Sequence, residues 1–139
     1  LIALSTATLL LVVTTAGLLT TTQTLSSTGT ITSVNLGVYS NSACTIPLTT
    51  INWGSVTPGS QATQTIYIKN TGNVAETLTM ASNSWSPSNA GSYLTITWSP
   101  AQSNLAAGAS TSATITLSAS SGASALSTFN VNIVITGTA

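Results

Sequence analysis

The chain has no histidine, a single cysteine and, among its 139 residues, only two side chains that carry charge, Lys69 and Glu76. Without histidine neither a Ser-His-Asp nor a Cys-His arrangement can be built. One carboxylate excludes the paired acids of a glycosidase, and equally a carboxylate dyad, within one chain. Gly54 and Gly59 lie in turns and lack the helix-opening context of a phosphate loop. One cation makes no basic stripe, so nucleic acid is not an expected partner. Cys44 has no second cysteine to pair with, which rules out an intrachain disulfide and leaves a cysteine-built metal cluster without ligands. Its expected place is a small buried apolar position. No catalytic, cofactor-binding or metal-ligating residue is therefore expected, no cofactor is called for, and the chain is read as a non-enzyme.

What remains is hydroxyl and hydrocarbon. Serine and threonine make up about a third of the chain, and hydrophobic residues 42%, close to the level of a folded domain. The chain should fold, with an uncharged hydroxyl surface. A net charge of zero leaves little to oppose association, which polymerisation or a glycan coat would turn to use. No asparagine begins an Asn-X-Ser/Thr sequon, as Asn70-Thr71-Gly72, Asn73-Val74-Ala75 and Asn83-Ser84-Trp85 illustrate, while O-linked sugar on serine and threonine stays open. With one side-chain carboxylate to protonate, acid stability is expected.

Leu1 to Leu25 carry no charge. Wound as a helix at about 1.5 Å per residue the stretch would reach roughly 37 Å, enough for a bilayer core of about 30 Å. Threonine is a weak helix former, but Leu4, Leu11, Leu18 and Leu25 recur every two helical turns, and Thr8, Thr15 and Thr22 do so on another face. The run Leu9 to Val13 does not alternate, which argues against a strand and against a donor-strand filament. The reading is a hydrophobic N-terminal helix over residues 1–28, stopped near Gly29. Its packing positions against copies of itself are Leu4, Ala7, Leu11, Val12, Gly17, Leu18, Leu19 and Leu25. A secretory signal and a simple membrane anchor compete with a polymer core, and the absence of a basic leader favours the core.

Beyond Gly29 the period changes to two. Val34, Leu36 and Val38 share a face, as do Ile66 and Ile68, then Leu94, Ile96 and Trp98, then Ala113, Ile115 and Leu117, then Phe129, Val131, Ile133 and Ile135. Turn signals separate them at 57–60, 70–73, 86–89, 107–109 and 120–122. With Ile51-Asn52-Trp53 and Val74 to Met80 this gives about seven strands, the count of an immunoglobulin-like sandwich over residues 29–139. The expected class is α+β, a long N-terminal helix followed by an all-β domain. Lys69 falls opposite Ile66 and Ile68, whereas Glu76 shares parity with Val74 and Leu78 and so points inward, unless a bulge or a place at the rim relieves it. Trp85, between two serines in a turn-rich stretch, is the candidate exposed contact.

These residues resemble a family. An apolar opening segment running directly into a Ser/Thr-rich β domain is similar to archaeal type IV pilins, above all those of thermophilic acidophiles. The parts that carry the likeness are Leu1 to Leu25, Ile51-Asn52-Trp53-Gly54, Val56-Thr57-Pro58-Gly59, Tyr67 to Asn73 and Phe129 to Thr138. The resemblance implies a subunit cut before Leu1 by a membrane prepilin peptidase and held in the membrane until the pilus assembly machinery extracts it. It would then join a helical homo-oligomeric filament at the cell surface that serves adhesion. Where bacterial pilins carry glutamate this chain has Ser5. An archaellin of a motility filament and a membrane-anchored surface or carbohydrate-binding module are the alternatives.

Overall fold

Alternation along the chain becomes seven strands in the computed structural model, which describes residue 23 and residues 25–139. They are β1 (Leu36–Tyr39), β2 (Gln61–Asn70), β3 (Glu76–Ser86), β4 (Leu94–Pro100), β5 (Asn104–Leu105), β6 (Ser110–Ala119) and β7 (Asn130–Thr138). Short 3-10 turns at Ala90–Ser92 and Ser121–Ala125 lead into β4 and towards β7. The chain divides into two compact units, residues 1–30 and residues 31–139, and all seven strands belong to the second.

Every pairing is antiparallel, in a four-stranded sheet of order β1-β2-β6-β4 and a three-stranded sheet of order β5-β3-β7. Ile66 and Ile68 of β2, Ala113, Ile115 and Leu117 of β6, and Leu94 and Ile96 of β4 supply one wall of the core; Leu78 of β3 and Leu105 of β5 supply the other. The period of two puts hydroxyls on the outer face of the larger sheet, where Thr63 and Thr97 both lie opposite Thr116. The first sheet thus has the strand order A-B-E-D of a constant-type immunoglobulin sandwich, while β3 and β7 take the places of C and F. Among the described residues no strand occupies the place of G beside β7, and β5 lies on the far side of β3 instead.

Two corrections to the sequence reading follow. The α+β assignment gives way to an all-β fold: the described residues contain strands and 3-10 turns, no α-helix, and no helix long and apolar enough to cross a membrane. The helix expected over 1–28 lies outside the described residues through Thr22 and at Thr24, and with it the positions Leu4, Ala7, Leu11, Val12, Gly17, Leu18 and Leu19. Residues 25–28 are described and form no helix; serine and threonine there are poor helix formers, and Leu25 is 81% exposed, with no buried face to hold a turn together. Second, Ile51-Asn52-Trp53 is not a strand, since it pairs with no neighbour; the seventh strand is β5, a two-residue element too short to show a period.

Candidate functional site

Two features of the β domain stand out from the bland hydroxyl surface. The first is a polar clamp at one end of the sandwich, built by Asn70-Thr71-Gly72-Asn73 between β2 and β3. Asn70 is fully buried; its side-chain amide donates to the carbonyls of Val74 (2.7 Å) and Leu105 (3.0 Å), and its Oδ1 accepts from Gly72 N (2.9 Å). Asn73 reaches back to the incoming chain: Ser33 N donates to its Oδ1 (2.7 Å), its Nδ2 donates to the carbonyl of Ile31 (2.6 Å), and its own N–H donates to Ser33 (3.1 Å). Thr71 and Gly72 donate their N–H groups to the carbonyl of Asn35 at 2.8 and 3.2 Å. Only glycine fits at 72, because a Cβ there would run into the carbonyl oxygen of Ser33. The sequence marked this tetrapeptide as a turn; the structure makes it the anchor of residues 31–35.

Glu76 completes the clamp. Parity sends it inward, and it stays inward: the residue is fully buried, its Oε1 accepts from Asn35 N at 2.9 Å, and its Oε2, packed against Gly137, has no hydrogen-bond partner among the described residues. Lys69 lies on the outer face of β2, opposite Gly37 and Ser110, so the two charges of the chain face different environments. The bulge of β3 lies farther along, between Asn83 and Ser86, and at the start of the strand Glu76 is covered rather than exposed.

The second feature is a groove along the free edge of β7. A cavity of about 620 Å³ lies between the segment Leu48–Trp53 and the inner face of β7, floored by Val38, Ile66 and Ile115. A second, of about 580 Å³, continues it past Val56, Leu94 and Leu126, and the two share Thr50, Ile51, Trp53, Phe129 and Asn130. No charged residue lines either one. Phe129, Val131, Ile133 and Ile135, which alternation assigned to the core, do face inward, yet all four are only half-buried.

A bulge decides the fate of Trp85. Between Asn83 and Ser86 β3 carries one residue more than β7 does between Asn132 and Asn130, and Ser84 takes a φ of 56°. The extra residue reverses the side-chain parity, so Trp85 turns inward. It is half-buried, its ring centroid 6.5 Å from that of Phe129, and it lies against Gly91. The exposed contact expected at Trp85 is thus a half-buried ring packed against Phe129 and Gly91. Cys44, expected to be buried, is a free, half-buried thiol in the turn after β1. Among the described residues no cluster of three metal-ligating side chains occurs. Comparison with protein-family models, with curated proteins and with solved structures finds no match to this chain.

Proposed function

We propose that the chain is the structural subunit of an extracellular adhesive filament, of the archaeal type IV pilin kind. On this reading it resides in the membrane before assembly, is processed by a prepilin peptidase and polymerises into a helical homo-oligomer on the cell surface. The observation that carries the reading is the pairing of an uncharged apolar opening segment with a β domain whose β7 offers nine uncharged residues along an unpaired edge. An uncharged surface and an open strand edge are what a soluble monomer avoids and what a polymer subunit uses. Nothing in the residue inventory supplies an acid, base or nucleophile pair for catalysis.

Electron microscopy of cells expressing the chain should show thin fibres, and Leu11→Lys should abolish them while the β domain still folds, because a desolvated unpaired charge costs several kcal/mol. Normal fibres from that variant would overturn the reading. An archaellin is separated by behaviour: deletion that stops swimming and spares attachment favours the motility filament. A carbohydrate-binding surface module draws support from Trp53 and Phe129, which line the groove beside Asn52 and Asn130. It predicts a monodisperse protein that is retained by glycan and forms no fibres.

A further inference from the structure

We infer that the groove between residues 48–56 and β7 binds a neutral saccharide chain, with sugar rings laid on Trp53 and Phe129 and sugar hydroxyls met by the two lips of the groove. The inference deepens the adhesive reading by naming what the subunit holds, and it rests on that reading only for its setting on a filament.

The groove has the size of a ligand site. Its two cavities, about 620 and 580 Å³, each fall within the roughly 300–1,000 Å³ usual for small-molecule pockets. The first follows β7 from 129 to 135, seven strand residues or about 23 Å, which suits a short chain of linked rings better than a single ring.

Two aromatic residues, Trp53 and Phe129, line both cavities, and both are half-buried. Part of each ring is therefore open to the cavity. An aromatic face is apolar with a negative quadrupole, the surface on which the C–H face of a sugar ring packs. Polar groups border the rings: the exposed Thr49, Thr50 and Asn52 along one lip, and the exposed Ser127, Thr128 and Asn130 along the other. Hydroxyls and amides both donate and accept, as sugar hydroxyls do.

The same lips disfavour other occupants. A hydrocarbon chain would strip them of water and return no hydrogen bond. An acidic sugar would meet no cation, because the groove has no charged lining and Lys69, the one basic side chain of the sequence, lies on the outer face of β2. An extended peptide is read by main-chain pairing with a strand, and the lip at 48–56 contains none.

The lip that bears Trp53 is also held in advance. Leu48 N donates to the carbonyl of Val38 at 2.9 Å, Gln64 Nε2 donates to the carbonyl of Asn52 at 3.4 Å, and Gly54 N donates to Oδ1 of Asn52 at 2.9 Å. The last bond closes a turn across Trp53, and Gly54 takes the φ of 64° that favours glycine. It uses the amide oxygen of Asn52 and leaves the amide N–H groups without a partner among the described residues. A ring fixed beforehand, with a free donor beside it, lowers the ordering cost of binding.

The test titrates the full chain by calorimetry with short neutral gluco-, manno- and galacto-oligosaccharides. Oligogalacturonate of equal length is the acidic counterpart, decanol and an alternating Thr-Val peptide are the competing occupants, and electron microscopy of the same samples records fibres. At least one neutral oligosaccharide should bind, at least about tenfold more tightly than oligogalacturonate. Trp53→Ala should weaken that binding by at least about tenfold. Asn52→Ala, at an exposed position, should weaken it by about threefold, and it decides the matter if the tryptophan variant fails to fold. Thr97→Ala, on the outer face of the larger sheet, should leave it unchanged. The inference is overturned if no neutral sugar binds, if the acidic one binds equally, if decanol or the peptide binds in the sugars' place, or if Asn52→Ala has no effect. Fibres without sugar binding overturn it and leave the filament reading standing. Sugar binding that the groove variants weaken, in a protein that forms no fibres, keeps it and sinks the filament.

Discussion

The two flanks of this sandwich share one sequence pattern and differ in what it achieves. On the flank of β2 and β6, alternating residues are shut away completely: Ile68, Ile115 and Leu117 are 0% exposed. On the flank of β7 the same alternation, through Phe129, Val131, Ile133 and Ile135, stops half-way. The composition of the two strands does not explain the contrast, because β7 is richer in β-branched residues than β6. The surroundings differ: the inner face of β7 borders the two cavities along Leu48–Trp53 and Val56, whereas Ile68 and Leu117 border neither. A period of two states which face a residue takes, and the surroundings state whether that face is closed.

The sharpest way to break the contrast is to cut into both flanks equally. Ile115→Ala removes a fully buried side chain and should cost about 2–5 kcal/mol of unfolding free energy by chemical denaturation. Ile133→Ala, on the half-exposed flank, should cost about 1 kcal/mol in the unassembled protein. Equal costs in the unassembled protein would mean that β7 is covered already and that the comparison fails.

The clamp gives a second, intermediate effect. Asn70→Ala strands the buried carbonyls of Val74 and Leu105 without their donor and should cost about 1–3 kcal/mol, read by the same denaturation curve. It should also speed proteolysis near residues 31–35, since the turn that holds them loses its pin. Destabilisation with no change in cleavage there would detach the clamp from the opening segment.

The smallest effect expected is that of acid. Glu76 receives one backbone N–H and, among the described residues, no salt bridge, so lowering the pH breaks no ion pair there. Circular dichroism of the unassembled protein should show no cooperative unfolding between neutral pH and about pH 2. A transition in that range would show that the carboxylate of Glu76 holds the clamp end together.

How far the residues announced all this varies from element to element. The runs over Ile66 and Ile68, Leu94 to Trp98 and Ala113 to Leu117 fall on β2, β4 and β6 with the inward face that alternation gave them. Ile51-Asn52-Trp53 alternates too and yet stays unpaired, because three residues carry the pattern without fixing a partner. Trp85 read as a turn residue because serines flank it, yet the stretch is the end of β3, and the bulge at Ser84 that turns the ring inward leaves no mark in composition. The partner of Glu76 is a peptide N–H forty-one residues away, beyond the reach of any local rule. The open place beside β7 is the least legible feature of all. Alternation over 129–135 reads the same whether the face it marks is closed or bordered by a cavity.

The most direct measurement is a cryo-EM map of the assembled fibre at a resolution that separates strands. A helical array of copies of this chain with the β domains of residues 31–139 displayed on the outside is expected. A monodisperse protein that forms no fibre would contradict it.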